Sequence, residues 1–208
     1  MTMLFKRVLY VVFMMLGATQ AMASEEAKYS VELQDEQFEL RLYDAHILAQ
    51  VLVDGEFSSA GNKAFNRLFK YITGNNIAQQ SIDMTTPVTQ GAASSKIAMT
   101  TPVGQQHSAG QWAVSFMMPA TASMATLPLP KDPSIQLVEV PAQHIAVVRY
   151  SGLWREKTYQ EQRAALERWV KQHNLAITGE PIWARYNPPF TLWFLRRNEV
   201  LIPVALPQ

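Results

Sequence analysis

The 208-residue sequence contains no cysteine. It therefore has no disulfide bonds, no thiolate metal ligands and no thiol nucleophile. It also lacks the Gly-x-Ser-x-Gly turn of many hydrolases, the His-Glu-x-x-His pair of zinc proteases and a glycine-rich phosphate loop. Because these are the commonest sequence signatures of catalysis, we expect a protein that is not an enzyme and that holds no metal centre of its own.

A charge imbalance is also missing. The sequence has 18 Lys and Arg residues and 17 Asp and Glu residues, which gives a formal net charge of +1. A nucleic-acid-binding protein needs a basic face for the phosphates, so we expect no nucleic-acid partner. The 48% of hydrophobic residues and 17% of charged residues are typical of one globular domain.

A long apolar run occurs at the N-terminus. Lys6 and Arg7 precede an apolar stretch at residues 8–18, and Ala21 and Ala23 form a small-x-small cleavage site. The stretch is shorter than the about 20 residues that span a membrane. We predict a signal peptide at residues 1–23, cleaved after Ala23, with an uncleaved anchor as the alternative. The domain at residues 24–208 is then expected to be periplasmic or secreted, without a stable membrane span.

The rest of the sequence divides into two similar halves, at about residues 29–118 and 134–204. A shift of 97 positions aligns alternating strand patterns in the two halves, and a helical pattern follows the strands in each. The first helix is predicted to begin at Ser58 or Ser59, and the second at a capping box of Thr158 and Glu161. The aligned strands are residues 38–43 and 46–53 in the first half and 135–140 and 144–150 in the second.

Further strands are predicted after each helix. They are residues 82–88, 96–103 and 111–118 in the first half, and 182–186, 191–196 and 200–204 in the second, where residues 197–199 form a hairpin turn. Residues 119–133, rich in Pro, Ala and Ser, are predicted as an irregular crossing loop. The pattern predicts an α+β fold: a duplicated β-β-α-β-β unit forming a distorted antiparallel β-barrel flanked by two helices. Closure would remove exposed strand edges.

The sequence Met-Thr-Thr-Pro-Val occurs twice, at residues 84–88 and 99–103. Thr and Val favour extended backbone, and Pro lacks the N–H that a central strand must donate. We therefore predict two adjacent antiparallel strands with a proline at the end of each. Met84 and Met99 are expected to pack beneath the first helix, with iron ligation as the alternative.

Several motifs in this order resemble the SOUL haem-binding family. They are residues 60–75, the two Met-Thr-Thr-Pro-Val copies, the Arg-Tyr-Asn-Pro-Pro-Phe sequence at 185–190 and the Arg-Arg-Asn-Glu-Val sequence at 196–200. The resemblance implies a duplicated barrel with two helices, similar to bacterial effector-binding domains. It also implies non-catalytic, non-covalent binding of haem or a related tetrapyrrole in a shallow apolar groove on the first helix, as a carrier, buffer or sensor in the cell envelope.

The family match also suggests ligand-binding residues. By position, they are Asn62, Phe65, Phe69, Lys70, Tyr71, Thr191 and Arg197. Phe65 and Phe69 lie four residues apart and so share one helix face, which can present a flat apolar surface to a macrocycle. Lys70, Arg196 or Arg197 can pair with haem propionates. The alternatives are a core role for the two phenylalanines, a hydrogen-bonded surface role for Tyr71 and a solvated hairpin tip for the two arginines.

No iron ligand is assigned. Leu42 stands where some family members have a histidine beside the tyrosine of the first strand. His46 and His144 are predicted at strand starts, His107 in a loop and His173 at a helix end, where surface roles compete with iron ligation. Three alternative functions remain: binding of another amphipathic small molecule, docking of an envelope peptide or protein, and enzymatic modification of haem.

Overall fold

The computed structural model describes residues 25–78, 97, 100–108 and 110–207. The predicted signal peptide, the predicted strand 82–88 with the first Met-Thr-Thr-Pro-Val copy, the loop 89–95 and Met99 lie outside these residues. The described chain contains fourteen strands, two α-helices and a short 3₁₀ helix.

The elements of the first half are β1 Glu25–Glu26, β2 Tyr29–Asp35, β3 Phe38–Tyr43, β4 His46–Val53, α1 Phe57–Ile72, β5 Asn76–Ile77, β6 Thr100–Thr101, β7 Val103–Ser108 and β8 Gln111–Met117. Those that follow are β9 Leu129–Pro130, β10 Ile135–Val140, β11 Gln143–Tyr150, α2 Glu156–Gln172, β12 Ala176–Ile177, β13 Ile182–Arg185 and β14 Asn198–Ala205, with the 3₁₀ helix at Trp193–Leu195.

Ten strands form one antiparallel sheet, in the order β10-β4-β8-β7-β13-β14-β11-β3-β2, with β12 also paired to β14. The first of the aligned strands in each half pairs with a strand of the other half. Strand β3 of the first half pairs with β11, and β10 of the second half pairs with β4. Strands 97 residues apart therefore occupy mirrored positions on either side of the β7–β13 pair. Two short ladders, β1 with β6 and β5 with β9, lie outside this sheet.

The predicted barrel closure is wrong, because the sheet is open. Within the described residues its path ends at β10 on one side and at β2 on the other. Strand β2 was not predicted, and it covers the edge of β3 that closure would have used. Its polar side chains, including Glu32, Gln34 and Asp35, are exposed and protect the edge in place of closure.

Both helices pack on the same sheet, each over the strands of its own half. Ala60, Ala64 and Leu68 of α1 form one core with residues of β4 and β8, such as Val51 and Phe116. Tyr159, Leu166, Trp169 and Val170 of α2 form a second core with residues of β11 and β14. A third cluster, which includes Tyr43, Ile145 and Leu201, occupies alternate strand positions and so lies on the sheet face away from the helices.

The helix starts differ from the predictions. Helix α1 begins at Phe57 after Glu56, and α2 begins at Glu156 after Arg155, without a side-chain cap hydrogen bond at either N-cap. Phe57 is buried and stacks on Trp183, with ring centroids 4.4 Å apart. This tertiary packing explains why α1 begins at Phe57, before the two serines. Glu156 lies in the first turn of α2, where its charge favours the helix dipole.

Two strand predictions are also wrong. Residues 191–196 form no strand, and β13 joins β14 through a loop at residues 186–197 instead of a hairpin. Pro188 and Pro189 cannot donate to a ladder, and the backbone N–H of Arg197 donates to Asn187 Oδ1 (2.6 Å). Strand β7 continues to Ser108, so His107 lies in a strand instead of the predicted loop. The predicted strand at residues 96–103 is not one strand, because Pro102 separates β6 from β7; the break at this proline agrees with the prediction for the second Met-Thr-Thr-Pro-Val copy.

Candidate functional site

One face of α1 presents two aromatic rings. Gly61, Phe65 and Phe69 are spaced four residues apart and form a stripe along the helix. The rings of Phe65 and Phe69 are stacked, with centroids 5.9 Å apart and an interplanar angle of 11°. Phe65 is half-buried and meets Phe116 edge-on at 5.2 Å, whereas Phe69 is 43% exposed. The core thus holds one ring, and that ring supports a second one in solvent.

The N-terminal end of this stripe lies over Arg185 of β13. A Cβ atom added to Gly61 would lie 3.6 Å from Arg185 Nη1 and 3.2 Å from Gln105 Oε1. The missing side chain at Gly61 therefore lets a sheet arginine approach the helix closely. Gln105 is buried, and its Nε2 donates to the carbonyl of Phe57 (2.9 Å), which fixes it beneath the first turn.

The guanidinium of Arg185 is held by aromatic rings. Its Cζ lies 3.9 Å from the ring centroid of Trp183 and 4.9 Å from that of Trp154. Nη2 makes one long hydrogen bond to Gln105 Oε1 (3.5 Å), and the buried Nε has no hydrogen-bond partner among the described residues. None of the ion pairs formed by those residues involves Arg185. Burial lowers the pKa of Arg185 to about 10.

Two other buried donors next to Arg185 are also unsatisfied. The indole Nε1 of Trp183, a residue only 1% exposed, and the hydroxyl of Tyr150 have no hydrogen-bond partner among the described residues. Burial raises the pKa of Tyr150, although the indole N–H of Trp183 and the charge of Arg185 act in the opposite direction. The two side chains are thus close enough to interact, but their geometry does not make a hydrogen bond. The described residues thus leave this polar cluster short of hydrogen-bond acceptors.

The loop that carries Thr191 reaches the same region. The guanidinium of Arg196 lies 4.4 Å from the ring centroid of Trp154, and its Nε donates to the carbonyl of Thr191 (2.8 Å). Trp154 therefore contacts both Arg185 and Arg196. The backbone carbonyl of Thr191 contacts Arg196, Arg196 contacts Trp154, and Trp154 contacts Arg185 beneath Gly61. These contacts connect the loop of the second half to the stripe on α1.

The other predicted residues of α1 have different positions. Asn62 and Lys70 are exposed on the helix. Tyr71 is fully buried in the α1 core, and its hydroxyl donates to the carbonyl of Pro128 (2.8 Å). Burial raises its pKa to about 12. Tyr71 is therefore not on the exposed stripe.

Arg197 belongs to a buried ionic network on the opposite face of the sheet. It donates to Glu199 (3.0 Å) and to Glu26 (2.8 Å), and Tyr186 donates to Glu199 (2.6 Å). Arg41 makes two further hydrogen bonds to Glu199, of 3.0 and 3.1 Å. Burial alone would raise the pKa of Glu199, but the hydrogen bonds and charge of Arg41, with the charge of Arg197, hold it below its ordinary value. Arg197 is thus not a solvated hairpin tip.

With this geometry described, comparison with known proteins identifies the family. The sequence matches the family described as SOUL heme-binding protein over residues 24–203. The protein belongs to the SOUL haem-binding family. No curated protein matches its sequence significantly.

Solved structures with the same fold share little sequence with this SOUL domain. The C-terminal domain of EcmrR is 12% identical, with a TM-score of 0.59 over 82% of this chain and 98% of that one. A hydrolase from Listeria innocua is 14% identical, with a TM-score of 0.54 over 84% and 94% of the two chains. An uncharacterized conserved protein from the same organism is 12% identical, with a TM-score of 0.55 over 82% and 93%. These likenesses show an effector-binding-like fold only.

The histidines of the SOUL domain each have a partner outside α1. His46 bonds to the carbonyl of Asp44 and His144 to Glu32, while His107 packs on Trp112 and His173 on Trp169. Among the described residues, no group of three or more His, Cys, Asp or Glu side chains is placed to hold a metal ion. No helix in this part of the chain is long and apolar enough to cross a membrane.

Surface depressions do not coincide with the stripe. One of about 760 Å³ is lined by Lys28, residues 44–47, Met117, Met118 and Glu139, and another of about 560 Å³ by Glu36, Arg149 and residues 194–197. Neither depression is lined by Phe65, Phe69 or Arg185, and the second lies beside Phe194 and Arg196 of the loop after β13.

Sequence reasoning missed Arg185, Trp183 and Tyr150 as site residues. A signal was present, since Arg185 opens the Arg-Tyr-Asn-Pro-Pro-Phe motif of the SOUL family. Its alternation with Ala184 in a strand also places it on the same sheet face as Trp183. The contact between Arg185 of β13 and Gly61 of α1 has no signal in the sequence, because the two residues lie 124 positions apart.

Proposed function

We propose that this SOUL protein binds haem or a related tetrapyrrole non-catalytically on the aromatic stripe of α1. Family membership supports the ligand class, and the stacked, partly exposed Phe65 and Phe69 support the surface. A planar macrocycle lying on Phe69 would remove its exposed ring from water, which is favourable by about 25 cal/mol for each Å² of apolar area buried.

We further propose Arg185 as the partner of a carboxylate of the ligand. Gly61 and Phe69 are separated by about 12 Å along the helix axis, a length on the scale of a macrocycle. A porphyrin stacked on the phenylalanines can therefore extend one edge toward Gly61, where the guanidinium has no counter-ion among the described residues. A charge-assisted hydrogen bond there offsets the cost of burying this arginine.

This assignment differs from the propionate partners expected from the sequence. Arg197 already pairs with Glu26 and Glu199, so recruiting it would break a buried network. Lys70 remains available as an exposed cation near Phe69. Asn62 adjoins Gly61 and can offer its amide to the same ligand edge.

The biological role we propose is that of a carrier, buffer or sensor of tetrapyrroles in the cell envelope. The predicted signal peptide supports export to the periplasm or beyond. The absence of catalytic motifs from the sequence supports binding without chemical change. The stripe supplies an apolar face, and Arg185 beside it supplies a partner for a carboxylate of the ligand. We assign no axial ligand to the iron.

Titration with hemin tests the proposal. We expect a Soret shift with the wild-type protein, and an affinity at least about tenfold lower for Phe69→Asp, because a buried carboxylate opposes stacking of the macrocycle. Ile177→Asp is the matched control, since Ile177 is 51% exposed on β12; its affinity should equal that of the wild type. An unchanged spectrum with the wild type, or equal affinities of the two variants, would contradict the proposal.

A second candidate ligand is another amphipathic carboxylate. The unpaired guanidinium of Arg185 favours it, because this group recognises a carboxylate on any apolar scaffold. Thermal-shift measurements with fatty acids and bile-salt-like acids separate the two candidates. If such an acid raises the melting temperature and added hemin does not displace it, the second candidate ligand is favoured.

A further inference from the structure

The loop between β13 and β14 carries an unusual set of exposed apolar side chains. We call residues 187–197 the apolar loop. Five of its side chains are large, apolar and more than half exposed: Phe190 (85%), Leu192 (58%), Trp193 (56%), Phe194 (53%) and Leu195 (63%). Leu153, in the adjoining turn after β11, is 41% exposed. Such a concentration of exposed apolar surface marks an interaction site.

The exposure does not result from a loose backbone. Arg196 braces the apolar loop from within, donating from Nη2 to the carbonyl of Pro189 (2.6 Å) and from Nε to that of Thr191 (2.8 Å). The backbone N–H of Leu195 donates to the carbonyl of Leu192 (2.9 Å), and that of Gly152 donates to the carbonyl of Trp193 (3.0 Å). The fold thus holds these side chains outward while it satisfies the carbonyls beneath them.

This combination suits a lipid surface. A segment that enters the boundary between lipid head groups and acyl chains must satisfy its own backbone groups, because it leaves water there. Trp, Phe and Leu are side chains that partition into this boundary. A side chain that is 85% exposed, as Phe190 is, has few protein neighbours, so the apolar loop projects from the domain and fits a deformable partner.

The charges around the apolar loop specify the kind of lipid. The loop and the adjoining residues 151–155 contain three arginines and no carboxylate, and the depression beside residues 194–197 is also lined by Arg149, Glu36 and Glu39. Arg197 pairs with Glu26 and Glu199, whereas Arg155 and Arg196 form no ion pair with any residue that the structure describes. Two cations at the base of an apolar projection match a layer of anionic head groups.

We propose that the apolar loop inserts into the surface of an anionic lipid bilayer, with Arg155 and Arg196 at the head-group level. The protein would dock on the membrane through the β13–β14 loop without spanning it. The contact uses side chains outside the stripe on α1, so it can be tested separately from the proposed tetrapyrrole site. It would place that site close to a membrane, where apolar ligands partition.

Co-sedimentation of the full chain with vesicles tests this proposal. Binding should be stronger to vesicles of phosphatidylcholine with phosphatidylglycerol than to phosphatidylcholine alone, by about fivefold for each arginine at the surface. Trp193→Ser with Phe194→Ser should lower the partition coefficient by at least about tenfold. The matched control is Leu129→Ser with Ile177→Ser, since both residues are 51% exposed elsewhere on the domain; its binding should be unchanged.

A second readout localises the contact. Lipids brominated near the head group should quench the fluorescence of the wild type, and Trp193→Phe should lose most of this quenching while it keeps its binding. All variants carry the same N-terminus, so vesicle binding through that segment would leave the quenching of Trp193 absent. Absence of that quenching, or equal binding by the two double variants, would overturn the proposal. Vesicle binding without any hemin-induced Soret shift would refute the tetrapyrrole proposal alone.

Discussion

Two arginines of the sheet are buried in opposite ways. Arg41 is 1% exposed and faces the carboxylate of Glu199, which also accepts hydrogen bonds from Arg197 and Tyr186. Arg185 faces the rings of Trp183 and Trp154 and has no carboxylate partner in the part of the chain that the structure describes. The first arrangement is complete and therefore structural. The second lacks an anion, and for this reason we assign it to ligand binding.

Replacing Glu199 should destabilise the fold. Glu199→Gln leaves the charges of Arg41 and Arg197 buried without their shared partner, and we expect a loss of about 3 kcal/mol in the free energy of unfolding, measured by urea denaturation. The control is Glu161→Gln, which removes an exposed pair with Lys157 at 3.9 Å; it should cost less than about 0.5 kcal/mol. Equal stabilities of the two variants would contradict a structural role for the network.

The pH dependence of stability also tests the role of Glu199, by comparison of the wild type with Glu199→Gln. Because the pKa of Glu199 is lower in the folded state than its ordinary value of 4.5, its ionised form stabilises the protein above that pH. The contribution is lost as the pH falls through the folded-state pKa. The difference in unfolding free energy between wild type and Glu199→Gln should therefore narrow below pH 4.5, and a constant difference would contradict this assignment.

Single residues show what the sequence can predict about a site. The spacing of Phe65 and Phe69 predicted their shared face, because helical periodicity is local. The burial of Tyr71 was not predicted, since it depends on the carbonyl of Pro128, 57 positions away. Arg197 was assigned to ligand binding from its place in a motif, yet its partners Glu26 and Glu199 come from other parts of the fold.

At the scale of elements, α1 has a packed face and a partly exposed face. Its inner face, with Ala60, Ala64 and Leu68, packs on the sheet, and its stripe from Gly61 to Phe69 remains available to a ligand. Glycine within a helix costs about 1 kcal/mol relative to alanine. At Gly61 this cost leaves room for the sheet side chains, since a Cβ there would lie only 3.2 Å from Gln105 Oε1 and in contact with Arg185 Nη1 at 3.6 Å.

Substitution of Gly61 tests this arrangement. Gly61→Leu should keep the fold, because the gain in helix propensity offsets the displacement of Gln105 and Arg185, and it should weaken hemin binding at least about tenfold by covering the guanidinium. Lys63→Leu adds the same side chain to an exposed position of α1 and should bind like the wild type. If both variants bind hemin equally well in the same Soret titration, the ligand edge does not lie at Gly61.

Elements with regular patterns were predictable and irregular ones were not. The bounds of β3, β4 and β10 match the predicted strands, because alternation of apolar and polar residues sets them locally. Residues 191–196 have strand-like composition, but the prolines before them and the bond from Arg197 to Asn187 fold them into a loop. Their apolar side chains are exposed, whereas a strand prediction from composition places such side chains in the core.

At the scale of the whole molecule, the two halves exchange strands. Strand β3 of the first half pairs with β11, and β10 of the second half pairs with β4. The shift of 97 residues predicted equivalent elements but not this exchange, because pairing across the halves leaves no local signal. The predicted closure into a barrel failed for the same reason, since β2 takes the edge of β3.

The exchange makes a prediction about folding. Residues 25–118 and 134–207, produced separately, should each lack a cooperative thermal transition in circular dichroism. The strands β4, β8 and β7 would lose β10, the strands β13, β14 and β11 would lose β3 and β2, and both pieces would lose the central β7–β13 pair. Mixing or co-expression of the two pieces should restore the transition. Cooperative unfolding of either piece alone would show that the halves are independent domains, contrary to the single domain predicted at residues 24–208.

We propose that the stripe on α1 and the guanidinium of Arg185 form one site for a tetrapyrrole with a free carboxylate. The most direct measurement compares the affinities of wild type and Arg185→Gln for hemin and for hemin dimethyl ester. We predict that the wild type prefers hemin by at least about tenfold, and that Arg185→Gln loses this preference while it binds the ester as the wild type does. Equal affinity of the wild type for both ligands, or an equal loss of both in the variant, would contradict the claim.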